Sequence, residues 1–208
     1  MKKTLFKLAI ITLSILALQS CNGVTKEHYS IPPGKDYQLL FEQISKTCGV
    51  EDPEIYEMSG TFKPGSYEGY TGTSTFEITL RTSKSVDKMA EYYYNFETGW
   101  GSPSEITIYE HTGRGGRKDL AYDEYKEYLF KQSEMPPFSE FENMYKKAIE
   151  ASGYAEDKCY VQSFKMEKDE DAENTLFMVV QDKDDRKKKA TVYFDMKGNV
   201  TDTEHEND

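Results

Sequence analysis

Two segments 104 residues apart carry the same helical signature, and this repetition constrains the fold more than any other feature of the chain. In 36–49, Tyr37, Leu40, Phe41, Ile44 and Cys48 recur at spacings of three and four, the apolar stripe of a helix packed on one side. In 139–153, Phe141, Met144, Tyr145 and Ala148 fall at the matching positions. Each stripe runs out at a glycine, Gly49 or Gly153, the residue best able to close a helix in the left-handed conformation. Strand-like runs follow both helices. After the first they cover 55–62, 75–80, 88–96 and 104–109; after the second, 159–166, 175–180, 189–194 and a frayed 200–204. Alternation is clearest at Phe76/Ile78/Leu80 and Ile106/Ile108, which reads as antiparallel strands wet on one face. The expected fold is α+β, a tandem duplication of one helix plus a four-stranded antiparallel meander. The expected organisation is 36–110 for the first repeat, 111–138 for a connecting turn and helix, and 139–208 for the second repeat with a polar tail.

Ahead of the first helix lie two segments of different character. Lys2 and Lys3 precede an apolar run that, counted from Leu5 to Leu18, covers 14 positions. That falls short of the roughly 20 residues needed to span a bilayer and suits a signal peptide over 1–20. Leu18-Gln19-Ser20-Cys21 resembles the lipobox of bacterial lipoproteins. The resemblance implies cleavage before Cys21 and acyl chains on it, with 21–35 (including Pro32-Pro33-Gly34) as a tether. Several chains at about 0.8 kcal/mol per buried CH₂ anchor a protein stably where one does not. Asn22 after the cysteine implies the outer membrane by that family's sorting pattern, and the lack of an acidic run there favours its periplasmic side. The first 20 residues hold Lys2, Lys3 and Lys7 and no acid, so the remaining chain has 23 basic and 37 acidic side chains, net −14. That balance excludes phosphate-neutralising contact with nucleic acid and favours a basic partner. With 16 Tyr and 11 Phe the chain is too aromatic to be disordered.

Chemistry-bearing motifs are few. With Cys21 lipidated, Cys48 and Cys159 remain, either as a disulfide allowed by an oxidising compartment or as two buried thiols. Gly113-Arg114-Gly115-Gly116-Arg117 is a basic cluster in an acidic chain, and its two guanidinium forks suit an anion. The three histidines have neither zinc-ligand spacing nor a nucleophile elbow nearby, so no metal, cofactor or catalytic residue is expected. Aromatic residues are the better lead. Tyr92, Tyr93 and Tyr94 occupy both faces of a strand, Tyr122, Tyr125 and Tyr128 form a helical stripe, and Trp100 begins a turn. Such rings suit a protein interface or stacking on sugars; packing of helix on sheet is their competing use.

Finally, 189–200, with its Asp195-Met-Lys-Gly198-Asn199 turn, is similar to the last hairpin of PepSY-like lipoproteins. The helix-plus-meander plan looks like tandem β-lactamase-inhibitor-like modules. The resemblance implies a binding or inhibitory module without catalysis, and together with the tyrosines the expected function is an envelope module that recognises another protein through a tyrosine-rich sheet face. The alternative is a lipoprotein that binds or processes glycans.

Overall fold

A computed structural model describes residues 34–62, 74–82, 88–112 and 116–206. The expected signal peptide, Cys21, nearly all of the tether and Arg114 lie outside the described residues. Helix α1 (Gly34–Cys48) leads into strands β1 (Ile55–Thr61), β2 (Thr75–Arg81) and β3 (Met89–Asn95), followed by short β4 (Gly99–Trp100) and β5 (Ser104–Ile106). A hairpin, β6 (Tyr109–Thr112) and β7 (Gly116–Asp119), a one-turn helix α2 (Tyr122–Tyr125) and several 3₁₀ turns connect to α3 (Phe141–Ala151). The chain ends in β8 (Cys159–Lys168), β9 (Asn174–Asp182), β10 (Lys189–Phe194) and β11 (Val200–Glu206). The fold is mixed α+β and mostly sheet. One nine-stranded antiparallel sheet runs β11-β10-β9-β8-β1-β2-β3-β4, with β5 also on β3.

Both helices present the stripes their spacing requires. Tyr37, Leu40, Phe41, Ile44 and Cys48 of α1 and Phe141, Met144, Tyr145 and Ala148 of α3 are buried, and all join one core with the inward residues of the sheet. Each helix closes on its glycine at positive φ, 70° at Gly49 and 68° at Gly153. Tyr37 is the hub of the core. Its ring lies 5.5 Å from Phe76, 5.6 Å from Phe164, 6.0 Å from both Phe96 and Phe141, 6.2 Å from Phe138 and 6.5 Å from Phe62. Burial holds its phenol well above the ordinary tyrosine range, reinforced by the neighbouring Tyr145 hydroxyl.

At the middle of the sheet β1 pairs with β8, and Gly60 stands opposite Phe164. A Cβ on Gly60 would come within 2.4 Å of the Phe164 ring, so the glycine makes the room that the phenylalanine fills. Gly34 is under a similar demand, since a Cβ there would meet the Phe138 carbonyl oxygen at 1.9 Å.

The connecting segment crosses the other face of the sheet at one end. Tyr125, Leu129, Ile108 and Met89 form a second, smaller core there. Ile55 and Phe130 exchange backbone hydrogen bonds of 2.7 and 2.9 Å. Glu54 accepts from Arg81 at 2.7 Å and from the Tyr122 hydroxyl at 2.9 Å, and the Arg81 guanidinium lies 3.8 Å from the centre of the Tyr122 ring.

Two details differ from expectation. The frayed fourth strand belongs to the first half: Gly101 and Pro103 interrupt it, and proline cannot donate to a ladder, whereas β11 runs on to Glu206. The connecting helix is one α-turn continued as a 3₁₀ turn over Lys126–Tyr128.

Candidate functional site

Pairing registers fix which side chains share the face away from α1 and α3. Phe76, Ile78 and Leu80 point to the core, so Thr75, Glu77 and Thr79 point outward with their partners Asn95, Tyr93 and Glu91. Following the ladders across the sheet gives one continuous outer row, Asp202–Tyr193–Phe177–Lys165–Ser59–Glu77–Tyr93. Strands about 4.8 Å apart make such a row roughly 29 Å long. Phe177 and Tyr193, 5.9 Å between centroids, form an aromatic pair towards one end, and Tyr93 marks the other. All three are half-buried, their rings partly open to solvent.

Charge is unevenly distributed on this face. Glu57 and Glu167 lie directly opposite each other, a repulsive placement, and Lys165 bridges them at 3.3 and 2.9 Å. Burial opposes the charge on Lys165, but its bonds to Glu167 and Glu57 outweigh that and hold the ammonium above its ordinary range. Glu77 titrates above its ordinary range, first through burial and then through repulsion by Glu91 and Glu57. Tyr193 is raised by burial and by its hydrogen bond to Glu204, 3.1 Å long. The face can therefore offer rings, hydroxyls and an excess of carboxylates to a broad, flat, cationic surface.

The residues singled out from sequence are dispersed by the fold. Tyr93 belongs to the open face. Its neighbours Tyr92 and Tyr94 are core residues, 5% and 1% exposed, because the alternation of β3 turns them towards the helices. Trp100 is half-buried against Tyr94, ring centroids 4.9 Å apart, and donates its indole N–H to Gln43 at 3.0 Å. Tyr125 is fully buried in the second core, and Tyr122 is engaged by Glu54 and Arg81. Of these six residues the fold buries Tyr92, Tyr94 and Tyr125 and places one ring, Tyr93, on the open face. Arg117 lies on β7, where its Nε–H donates to Asp119 at 2.7 Å and its guanidinium sits 4.2 Å from the centre of the Tyr109 ring. Cys48 and Cys159 are both buried thiols with no disulfide, and Cys48 Sγ lies 3.5 Å from the Tyr92 hydroxyl.

Phe177, Tyr193, Glu57, Glu77, Glu91 and Lys165 were not singled out. Phe177 sits inside the apolar run 176–180, where alternation is invisible, and Tyr193 lies between core residues Val192 and Phe194. The signal for both was register, which needs the strand partners. Among the described residues no group of three or more His, Cys, Asp and Glu is placed to hold a metal, and no helix is long and apolar enough to cross a membrane. Compared with protein-family models, curated proteins and solved structures, the chain matches none.

Proposed function

We propose that this chain is a lipid-anchored binding module of the bacterial cell envelope, held through acyl chains on Cys21 and recognising another protein with the open face of its sheet. The observation that carries the reading is the outer row, with Tyr93 at one end, Phe177 and Tyr193 towards the other, and carboxylates in excess between and around them. Rigid, amphipathic rings set among polar groups suit protein recognition. Glu57, Glu77, Glu91 and Glu167 outnumber Lys165, which favours a basic partner and makes the association weaken with salt. The role is binding without catalysis or cofactor, on the periplasmic side of the outer membrane. The glycan alternative draws less support, since the Trp100 indole is turned to Tyr94 and Gln43.

The same reading takes the two helix-plus-meander halves as a tandem duplication. Gly49 and Gly153 occupy corresponding positions with nearly equal φ. Gly60 and Phe164, separated by the same 104 residues as the helices, are direct partners in the β1–β8 pairing, as a two-fold relation between halves requires.

The test immobilises residues 22–208 through the N-terminus and passes envelope extract over wild type and a Tyr93→Ala/Phe177→Ala/Tyr193→Ala variant. A protein retained by wild type at low salt, released by high salt and lost from the variant is expected, while Arg117→Ala retains it. A folded wild-type bait that retains nothing overturns the reading. For the anchor, globomycin-treated cells should accumulate the precursor; unaltered processing overturns that part alone.

A further inference from the structure

We propose that the free edge of β11 accepts an added strand from a cationic protein segment, one with Lys or Arg at alternate positions. The proposal rests on the protein-binding reading and assigns it a second contact, at the rim of the open face. β11 is terminal in the sheet order, and among the described residues β10 is its sole strand partner. All its residues except Thr203 are exposed. Its outward edge therefore carries backbone N–H and C=O groups for a further strand, the basis of β-augmentation, although the Thr203 N–H donates locally to the Asp202 carboxylate at 2.8 Å, a bond that a guest strand has to replace.

The opposite edge is built differently. There β4 has two residues and β5 three, with Gly101 and Pro103 between, and short, proline-interrupted edges resist pairing. β11 lacks such protection: after a bulge at its start it pairs without interruption from Asp202 to Glu206.

Charge selects the guest. Asp202, Glu204 and Glu206 stand opposite Tyr193, Thr191 and Lys189, and so all lie on the outer face, about 6.8 Å from one to the next. A guest strand in register places alternate side chains beside them. Cationic side chains there make three favourable cross-strand pairs, and the residues between face Thr203 and His205 on the helix side. A second copy of this chain is a poor guest. A two-fold antiparallel β11–β11 contact keeps outer face beside outer face, so acid meets acid in every register that overlaps the strand fully. The row Asp202–Tyr193–Phe177 joins this edge to the candidate face, so an added strand widens the same surface.

The experiment titrates residues 22–208 with a labelled ten-residue peptide carrying lysine at alternate positions among threonine and valine, and with a scrambled peptide whose lysines are contiguous. The alternating peptide is expected to bind and to slow amide exchange along 201–206. Asp202→Lys/Glu204→Lys/Glu206→Lys should weaken it by roughly 10–100-fold and admit a glutamate-alternating peptide. Equal binding of the scrambled peptide, or protection on β1–β3 in place of β11, overturns the edge proposal. So does failure of both peptides to bind a bait that retains its envelope partner, and in that case the open-face reading stands. Exchange on the wild-type protein decides the matter even if the charge-reversed variant folds poorly.

Discussion

Gly60 and Phe164 illustrate what one residue position can demand. They face each other across β1 and β8, and only one of them can carry a large side chain into the space they share. Gly60→Ala is therefore expected to lower stability by roughly 1–3 kcal/mol, read as a lower midpoint in urea unfolding. Phe164→Leu in that background should recover part of the loss. Tyr37, ringed by six aromatic side chains, is the other sensitive point; Tyr37→Ala should cost about 3–5 kcal/mol. The stripe that buries Tyr37 is legible in the sequence as three-and-four spacing. The need for glycine at position 60 is not, because it depends on which strand lies across from it.

Individual elements were legible where the signal is local. The glycine stops of α1 and α3 and the turn after Phe194 follow from residue types alone. In that turn Asp195 accepts from the backbone of Asn199 at 2.8 Å and of Lys197 at 2.9 Å, and Gly198 has φ 74°. Its carboxyl is held below the ordinary range, chiefly by the Asn199 N–H. A depressed folded-state value contributes stability above the unfolded value, about 3.9, and loses it as pH falls through the folded one. Amide exchange at Lys197 and Asn199, corrected for intrinsic rate, should accelerate below about pH 4 before that of the strand cores. Asp195→Ala should produce the same opening at neutral pH; unchanged exchange in that variant would contradict the role. The tyrosines of β3 were half legible. Alternation divides Tyr92 and Tyr94 from Tyr93, but only the position of the helices says which side is wet.

At the scale of the molecule, element order was readable and strand partnership was not. Nothing in 55–61 specifies β8 as its neighbour, because a half-buried strand with one apolar face pairs with any strand of matching alternation. The second core beneath the connecting segment was hidden for a related reason, since Tyr122 and Tyr125 look alike until packing buries one fully. Burial of both thiols predicts that alkylation of the folded, unreduced protein leaves Cys48 and Cys159 unlabelled, and that unfolding without reductant adds two labels. A mass unchanged on unfolding would contradict the thiol assignment.

The pairing of β1 with β8 also orders events in time. A chain made N-terminus first completes α1 and β1–β3 while Glu57 through Thr61 still wait for 163–167. Until then β1 presents a bare edge beside the apolar side chains of Met58 and Phe62, the kind of surface that invites premature association. Closure brings together residues more than a hundred positions apart, the kind of long-range pairing that slows folding, and it has to wait until 163–167 have been made. During synthesis the first half thus exposes a strand edge and apolar side chains that β8 and the second half later cover.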